Sequence, residues 1–116
     1  MNNYFEIVFM SEAFEFLKSI DPKHSNKILY NIRKVQQKRD PELLKKLTDD
    51  IWEFRTLFQG LYYRLLAFLD KTNNNNTLII STHGFIKKQS KVPDNEIIKA
   101  EQQRKKYFTD KIKTEK

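Results

Sequence analysis

The 116-residue sequence contains no cysteine, which excludes disulfides, thiolate metal sites and cysteine nucleophiles and is compatible with a reducing compartment. Its two glycines are too few for a phosphate-cradling loop, so nucleotide hydrolysis is not expected. The histidines are His24 and His83 alone. With no His-Glu-x-x-His spacing and no carboxylate cluster, neither a catalytic metal nor a cofactor is expected. No strand-turn nucleophile motif is present for Ser-His-Asp chemistry. No apolar run reaches the roughly 18 residues of a membrane helix, and the first residues lack the basic start and long apolar stretch of a signal peptide. The chain therefore reads as cytoplasmic, with no membrane partner.

Positive charge, by contrast, is abundant. Lys and Arg number 22 against 15 Asp and Glu, a formal net charge of +7 with pI about 9.6. The excess lies in two blocks. Residues 22 to 39 hold Lys23, Lys27, Arg33, Lys34, Lys38 and Arg39 with no acid, and residues 83 to 116 hold ten basic against five acidic residues. Clustered positive charge favours nucleic acid or another polyanion as partner, whereas one such block alone also fits a solvated helix face.

The pattern is clearest from Ile51 to Asp70, which reads as two β-strands joined at Gln59-Gly60. Gly at the second turn position supplies the positive φ of a two-residue hairpin, although Gln is not a favoured first residue. In that register the residue numbers of strand partners sum to 119. One face then carries Trp52, Phe54, Thr56, Phe58, Leu61, Tyr63, Leu65 and Ala67 and belongs to the core. The other sets Arg55 opposite Arg64, with Glu53, Leu57 and Tyr62 nearby. Like charges across a strand pair repel by a fraction of a kcal/mol up to about 1 kcal/mol. Either Glu53 bridges the two arginines, or they splay into water, or they form an anion site, since paired guanidinium forks suit a phosphate.

Around this hairpin the chain reads as one domain over residues 1 to 116, large enough to bury roughly two thirds of its unfolded surface. A strand over Tyr4 to Phe9 is followed by a short helix capped by Ser11, with Ala13, Phe16 or Leu17, and Ile20 inward. Asp21-Pro22 starts a second helix running to about Arg39, with Ile28, Ile32 and Val35 buried. Asp40-Pro41 predicts one or two further helical turns through Glu42 to Leu47. After the hairpin, Lys71 to Asn76 forms a polar turn. Thr77 to His83, with Leu78, Ile79 and Ile80 consecutive, is a strand buried on both faces. Pro93 opens a last helix, and residues 109 to 116 are expected to fray. The fold class is α+β in the order β-α-α-β-β-β-α, an antiparallel-rich sheet with a helical hairpin on one face and a C-terminal helix.

The candidate site is a set of cations and hydroxyls: Arg55 and Arg64 on one sheet face, Lys87, Lys88 and Lys91 on the loop leaving the next strand, and Tyr62 beside Arg64. Such groups suit metal-free RNA cleavage, in which the 2′-hydroxyl attacks the adjacent phosphate and the protein compensates the developing charge. DNA, lacking that hydroxyl, would be bound but not cut. His83 is the one side chain of ordinary acid-base pKa near this set, and it also suits a packing role at a strand end. Tyr62 is a base-stacking candidate, whereas Trp52 would stack only if the register slipped by one. Lys34 and Lys38 are further RNA-binding candidates.

Trp52-Glu53-Phe54-Arg55, Tyr63-Arg64, His83-Gly84-Phe85-Ile86-Lys87-Lys88, and Pro93 with Glu96, Ile97 and Ala100, in this order and spacing, resemble the phage-derived, HigB-like branch of the RelE/ParE toxin superfamily. The resemblance covers roughly Leu43 to Phe108. It implies the toxin of a type II toxin–antitoxin pair that cleaves mRNA on the ribosome, with active-site cations matching Arg55, Arg64, Lys87 and Lys88. It also implies a small helix-turn-helix antitoxin as partner. The better-known RelE branch carries lysines where this chain has Glu53, and a tyrosine near the last helix with no obvious counterpart. Glu53 is expected to orient Arg55, because an arginine neighbour depresses a carboxylate's pKa. A ParE-like DNA gyrase inhibitor and a non-catalytic RNA-binding module are the alternatives.

Overall fold

The computed structural model describes residues 4–73 and 77–114. Strand β1 (Glu6–Phe9) leads into helices α1 (Ser11–Ser19) and α2 (Pro22–Gln37). Strands β2 (Leu44–Lys46), β3 (Trp52–Phe58), β4 (Leu61–Asp70) and β5 (Leu78–Ile86) follow, then helix α3 (Asp94–Thr114). They form one five-stranded sheet in the order β1-β5-β4-β3-β2. Only the β1–β5 pair is parallel. β5 is thus an interior strand, as its unbroken apolar run requires.

The sheet separates two apolar clusters. On one side α1 and α2 bring Leu17, Ile28, Ile32 and Val35 against Phe5, Phe54, Tyr63, Leu65, Ala67 and Ile79. On the other, α3 brings Ala100, Ile97, Tyr107 and Phe108 against Ile51, Leu66, Phe68 and Ile80. Each hairpin strand therefore buries both of its faces over part of its length.

The hairpin register is the expected one, from Trp52↔Ala67 to Phe58↔Leu61, with Arg55 opposite Arg64. Its turn residues have φ of +49° at Gln59 and +79° at Gly60, both positive as a type I′ turn requires. A tertiary hydrogen bond explains the uncommon residue: buried His24 on α2 places Nε2 3.0 Å from Gln59 Oε1 and Nδ1 2.7 Å from the Tyr63 hydroxyl. Trp52 is half-buried on the α2 side, lining an apolar cleft with Phe5, Val35 and Leu44.

Four local expectations are corrected. The second helix ends at Gln37, its expected cap being confirmed by Asp21, which accepts from the Lys23 N–H at 2.9 Å. Ser11 is the first residue of α1, while Met10 is the cap and makes no side-chain bond. The helical reading of residues 42 to 47 gives way to a single turn, with Leu43 and Leu44 N–H donating to Asp40 O, and then to β2. Pairing of Leu44 with Phe54 supplies sheet hydrogen bonds and an apolar contact that outweigh local helix propensity. Finally, of the expected fray over residues 109 to 116, residues 109 to 114 are helical, with the Lys111 ammonium reaching buried Asp70 at 2.7 Å and the Thr72 hydroxyl at 2.6 Å, and the last two residues lie outside the described ones. The polar turn expected at Lys71 to Asn76 lies partly outside the described residues.

No helix is long and apolar enough to cross a membrane among the described residues.

Candidate functional site

Strand alternation and cross-strand register arrange the α3 side of the sheet in rows. One row is Glu53–Leu66–His83, and the next is Arg55–Arg64–Phe85. A third is Leu57–Tyr62–Lys87, since the Lys87 N–H donates to Tyr62 O at 2.7 Å and extends the β4–β5 ladder by one rung. Helix α3 begins near the first row, where Glu96 meets His83, and runs toward Asp70 at the other end of β4. The second and third rows lie beyond its N-terminal end. Leu57 and Tyr62 there are 57 % and 49 % exposed, Arg55 and Lys87 are half-buried, and Lys88 and Lys91 are exposed on the following loop.

The two arginines that face each other have different environments. Arg64 is buried, 3 % exposed, with Nε 2.8 Å from Glu53 Oε1 and Nη1 donating to its own strand's Tyr63 carbonyl at 2.9 Å. The Glu53 contact is a charge pair with poor hydrogen-bond alignment, since neither atom meets the geometry of a hydrogen bond. Burial draws the guanidinium pKa down and nearby Arg55 adds to this, while Glu53 opposes both. Arg55, by contrast, makes no side-chain ion pair or hydrogen bond among the described residues. Glu53 therefore counters Arg64, whereas the sequence suggested Arg55. The repulsion between the facing arginines is relieved on one side only.

His83 is not exposed beside these cations. Its ring is 4 % exposed, with Nδ1 2.9 Å from Thr82 Oγ1 and Nε2 3.1 Å from Glu96 Oε1. Burial lowers its pKa against the opposing pull of Glu96. Because a carboxylate only accepts, Nε2–H donates to Glu96, while Nδ1 and the Thr82 hydroxyl share a bond whose direction follows the tautomer. The geometry makes His83 a strut between β5 and α3.

Lys34 and Lys38 belong to α2 and its C-cap, across the sheet from Arg55 and Lys87. The structure does not bring them to this site. Nor does it place Tyr107, the one tyrosine of α3, there: its hydroxyl is bonded to Asp70. Asp70 is buried, which raises a carboxyl pKa, but bonds from Lys111, Tyr107 and Thr72 outweigh burial and hold it well below the carboxylate range. This tether escaped sequence reasoning, because Tyr107 and Lys111 on α3 lie 37 and 41 positions from Asp70 at the end of β4 and follow no motif. What remains on the exposed rows is a cationic strip of Arg55 and Lys87 with the Tyr62 ring, side-chain chemistry of the kind that suits a phosphate and a stacked base.

A family model described as phage derived protein Gp49-like (DUF891) matches residues 15–105. No curated protein matches the chain.

Proposed function

We propose, since the chain belongs to the Gp49-like family of phage-derived proteins, a RelE-like toxin family, that it is the toxin of a type II toxin–antitoxin pair and a metal-independent mRNA endoribonuclease acting on the ribosome. Its partner is then a small helix-turn-helix antitoxin. The observation that carries the reading is the asymmetry of the facing arginines: Glu53 counters Arg64, while Arg55 is left without an acid next to the Tyr62–Lys87 row.

In the proposed reaction the RNA 2′-oxygen bonds to the adjacent phosphorus and loses its proton to solvent. The bond from phosphorus to the 5′-oxygen breaks, and that oxygen takes up a proton, leaving a 2′,3′-cyclic phosphate and a 5′-hydroxyl. Arg55 and Lys87, with Lys88 on the adjoining loop, stabilise the charge that builds on the phosphoryl oxygens. Each such donor is worth on the order of 10² to 10³ in rate. Tyr62 stacks a neighbouring base. Arg64 acts from below, its fixed positive charge raising the potential at Arg55 and its contact with Glu53 keeping the carboxylate away from the phosphate.

Primer extension on a defined mRNA in a reconstituted translation system, with EDTA controls on naked RNA, tests this. Discrete cuts that require ribosomes and fall by roughly 10² or more in Arg55→Ala and in Lys87→Ala are expected. Intact mRNA in every lane would sink the nuclease, and inhibition of gyrase supercoiling in its place would favour the ParE-like alternative.

A further inference from the structure

Helix α2 presents a second cationic surface on the opposite side of the sheet. Lys23, Lys27, Tyr30, Lys34 and Lys38 follow one another at spacings of three or four, so they line one face of the helix. The stripe is about 22 Å long at 1.5 Å per residue. Its inward counterpart is Ile28, Ile32 and Val35, each 2 % exposed. Tyr30 is 49 % exposed at the centre, with the Lys27 ammonium 4.9 Å and the Lys34 ammonium 5.5 Å from its ring.

The charge of this stripe is not neutralised within the molecule. Elsewhere Lys18, Arg64, Lys99, Arg104, Lys106 and Lys111 each meet a carboxylate. Among the described residues no ion pair involves residues 22 to 39, whose six cations nearly equal the +7 net charge of the whole chain. The nearest acids in sequence, Asp21 and Asp40, accept backbone N–H bonds at the two ends of the segment.

From this arrangement we propose that the outer face of α2 docks on the phosphate backbone of double-stranded RNA, holding the toxin on structured RNA while the opposite face of the sheet acts on a single strand. The inference deepens the proposed function and rests on it for the identity of the polyanion. Lysines in a row are point charges that suit phosphates and carry no base-reading geometry. Lysine is depleted from protein–protein interfaces, and the stripe offers a protein partner no apolar anchor besides Tyr30. Duplex RNA is recognised in this sequence-blind manner, through shape and backbone. The two surfaces lie on opposite faces of a molecule whose shortest dimension is 25 Å, so both can be occupied at once.

The test is fluorescence anisotropy of the full chain with a labelled blunt RNA duplex of about 16 base pairs, over a salt series. Lys27→Glu/Lys34→Glu, and the milder Lys27→Gln/Lys34→Gln, should weaken binding at least about tenfold at 0.1 M salt. The log–log salt slope should become shallower by roughly 1.4 to 1.8, for two lost phosphate contacts. Arg55→Ala/Lys87→Ala should bind the duplex as the unaltered protein does. Unchanged binding in both α2 variants, or its loss in the Arg55/Lys87 variant, would overturn the proposal. So would competition by polyglutamate of equal charge as effective as unlabelled duplex, which would identify an acidic peptide as the partner. Duplex binding through α2 without mRNA cleavage would leave this surface standing and remove the nuclease, so the two proposals fail separately.

Discussion

Glu53 Oε1 and Arg64 Nε lie 2.8 Å apart with both side chains buried, and Arg55, directly across the strand pair from Arg64, has no such counter-charge. A charge pair in this setting is held by mutual need. Desolvation of two ions consumes most of their attraction, but removing one leaves the other uncompensated at a cost of about 3–5 kcal/mol.

Glu53→Gln should therefore destabilise the fold by about 3 kcal/mol, read as a shift in the urea midpoint at unchanged m-value. Replacing both members, as in Glu53→Leu/Arg64→Met, should recover most of that loss, because no charge is then left in the core. If the double variant is as unstable as the single, the pair is a packing element and the electrostatic account fails.

Acidification should act through His83. Its folded pKa is lowered by burial, so as pH falls through about 6.5 the unfolded chain binds a proton that the folded state resists. Stability is thus fully present above about pH 6.5 and declines below it, until the folded group itself protonates. Urea midpoints at pH 7.5 and 5.5 should differ less in His83→Gln than in the unaltered protein. An equal drop in both would assign the effect to other groups.

Asp70 has the opposite charge type and a different pH window. Its folded pKa is depressed by the Lys111, Tyr107 and Thr72 bonds despite burial, so its contribution is present above about pH 3.9 and lost only in stronger acid. Asp70→Asn should cost about 2–3 kcal/mol at pH 7 and release the last turns of α3. Amide hydrogen exchange of residues 107 to 114 should rise selectively, whereas uniform exchange across α3 would show that the tether does not control that end.

Gly84 should not accept even a methyl group. A Cβ there would overlap Phe16 Cδ2 on α1 and Leu65 Cδ2 on β4, and both side chains are packed in the α1–α2 cluster. Gly84→Ala is expected to cost about 1–3 kcal/mol by overpacking, seen as a lowered thermal midpoint. A neutral result would mean that α1 can move off the sheet freely.

Local chemistry made much of the fold legible. The hairpin register followed from period-two alternation around Gly60, α2 from Asp21-Pro22 and the Ile28, Ile32, Val35 spacing, and the interior position of β5 from three consecutive apolar residues. Each signal is written within a few residues of where it acts. Strand β2 was misread because its pairing with β3 comes from residues that lie eight or so positions along and outweighs the helix start at Pro41. The helical course of α3 from Thr109 to Thr114 was not legible locally, since Lys111 is held by Asp70, 41 positions earlier.

The site divides in the same way. The sequence by itself determined that Arg55 and Arg64 face each other, that Tyr62 shares their sheet face, and that α2 is basic and free of acid, whereas the longer β5 that sets Lys87 beside Tyr62 came from the structure. Only the tertiary structure decided that Glu53 counters Arg64, that His83 is enclosed between Thr82 and Glu96, and that Lys34 and Lys38 lie across the sheet from Arg55. Alternation assigns a side chain to a face. Whether that face is open to a phosphate depends on where a distant helix packs, and the position of α3 is set by long-range apolar and ionic contacts that no short stretch of sequence encodes.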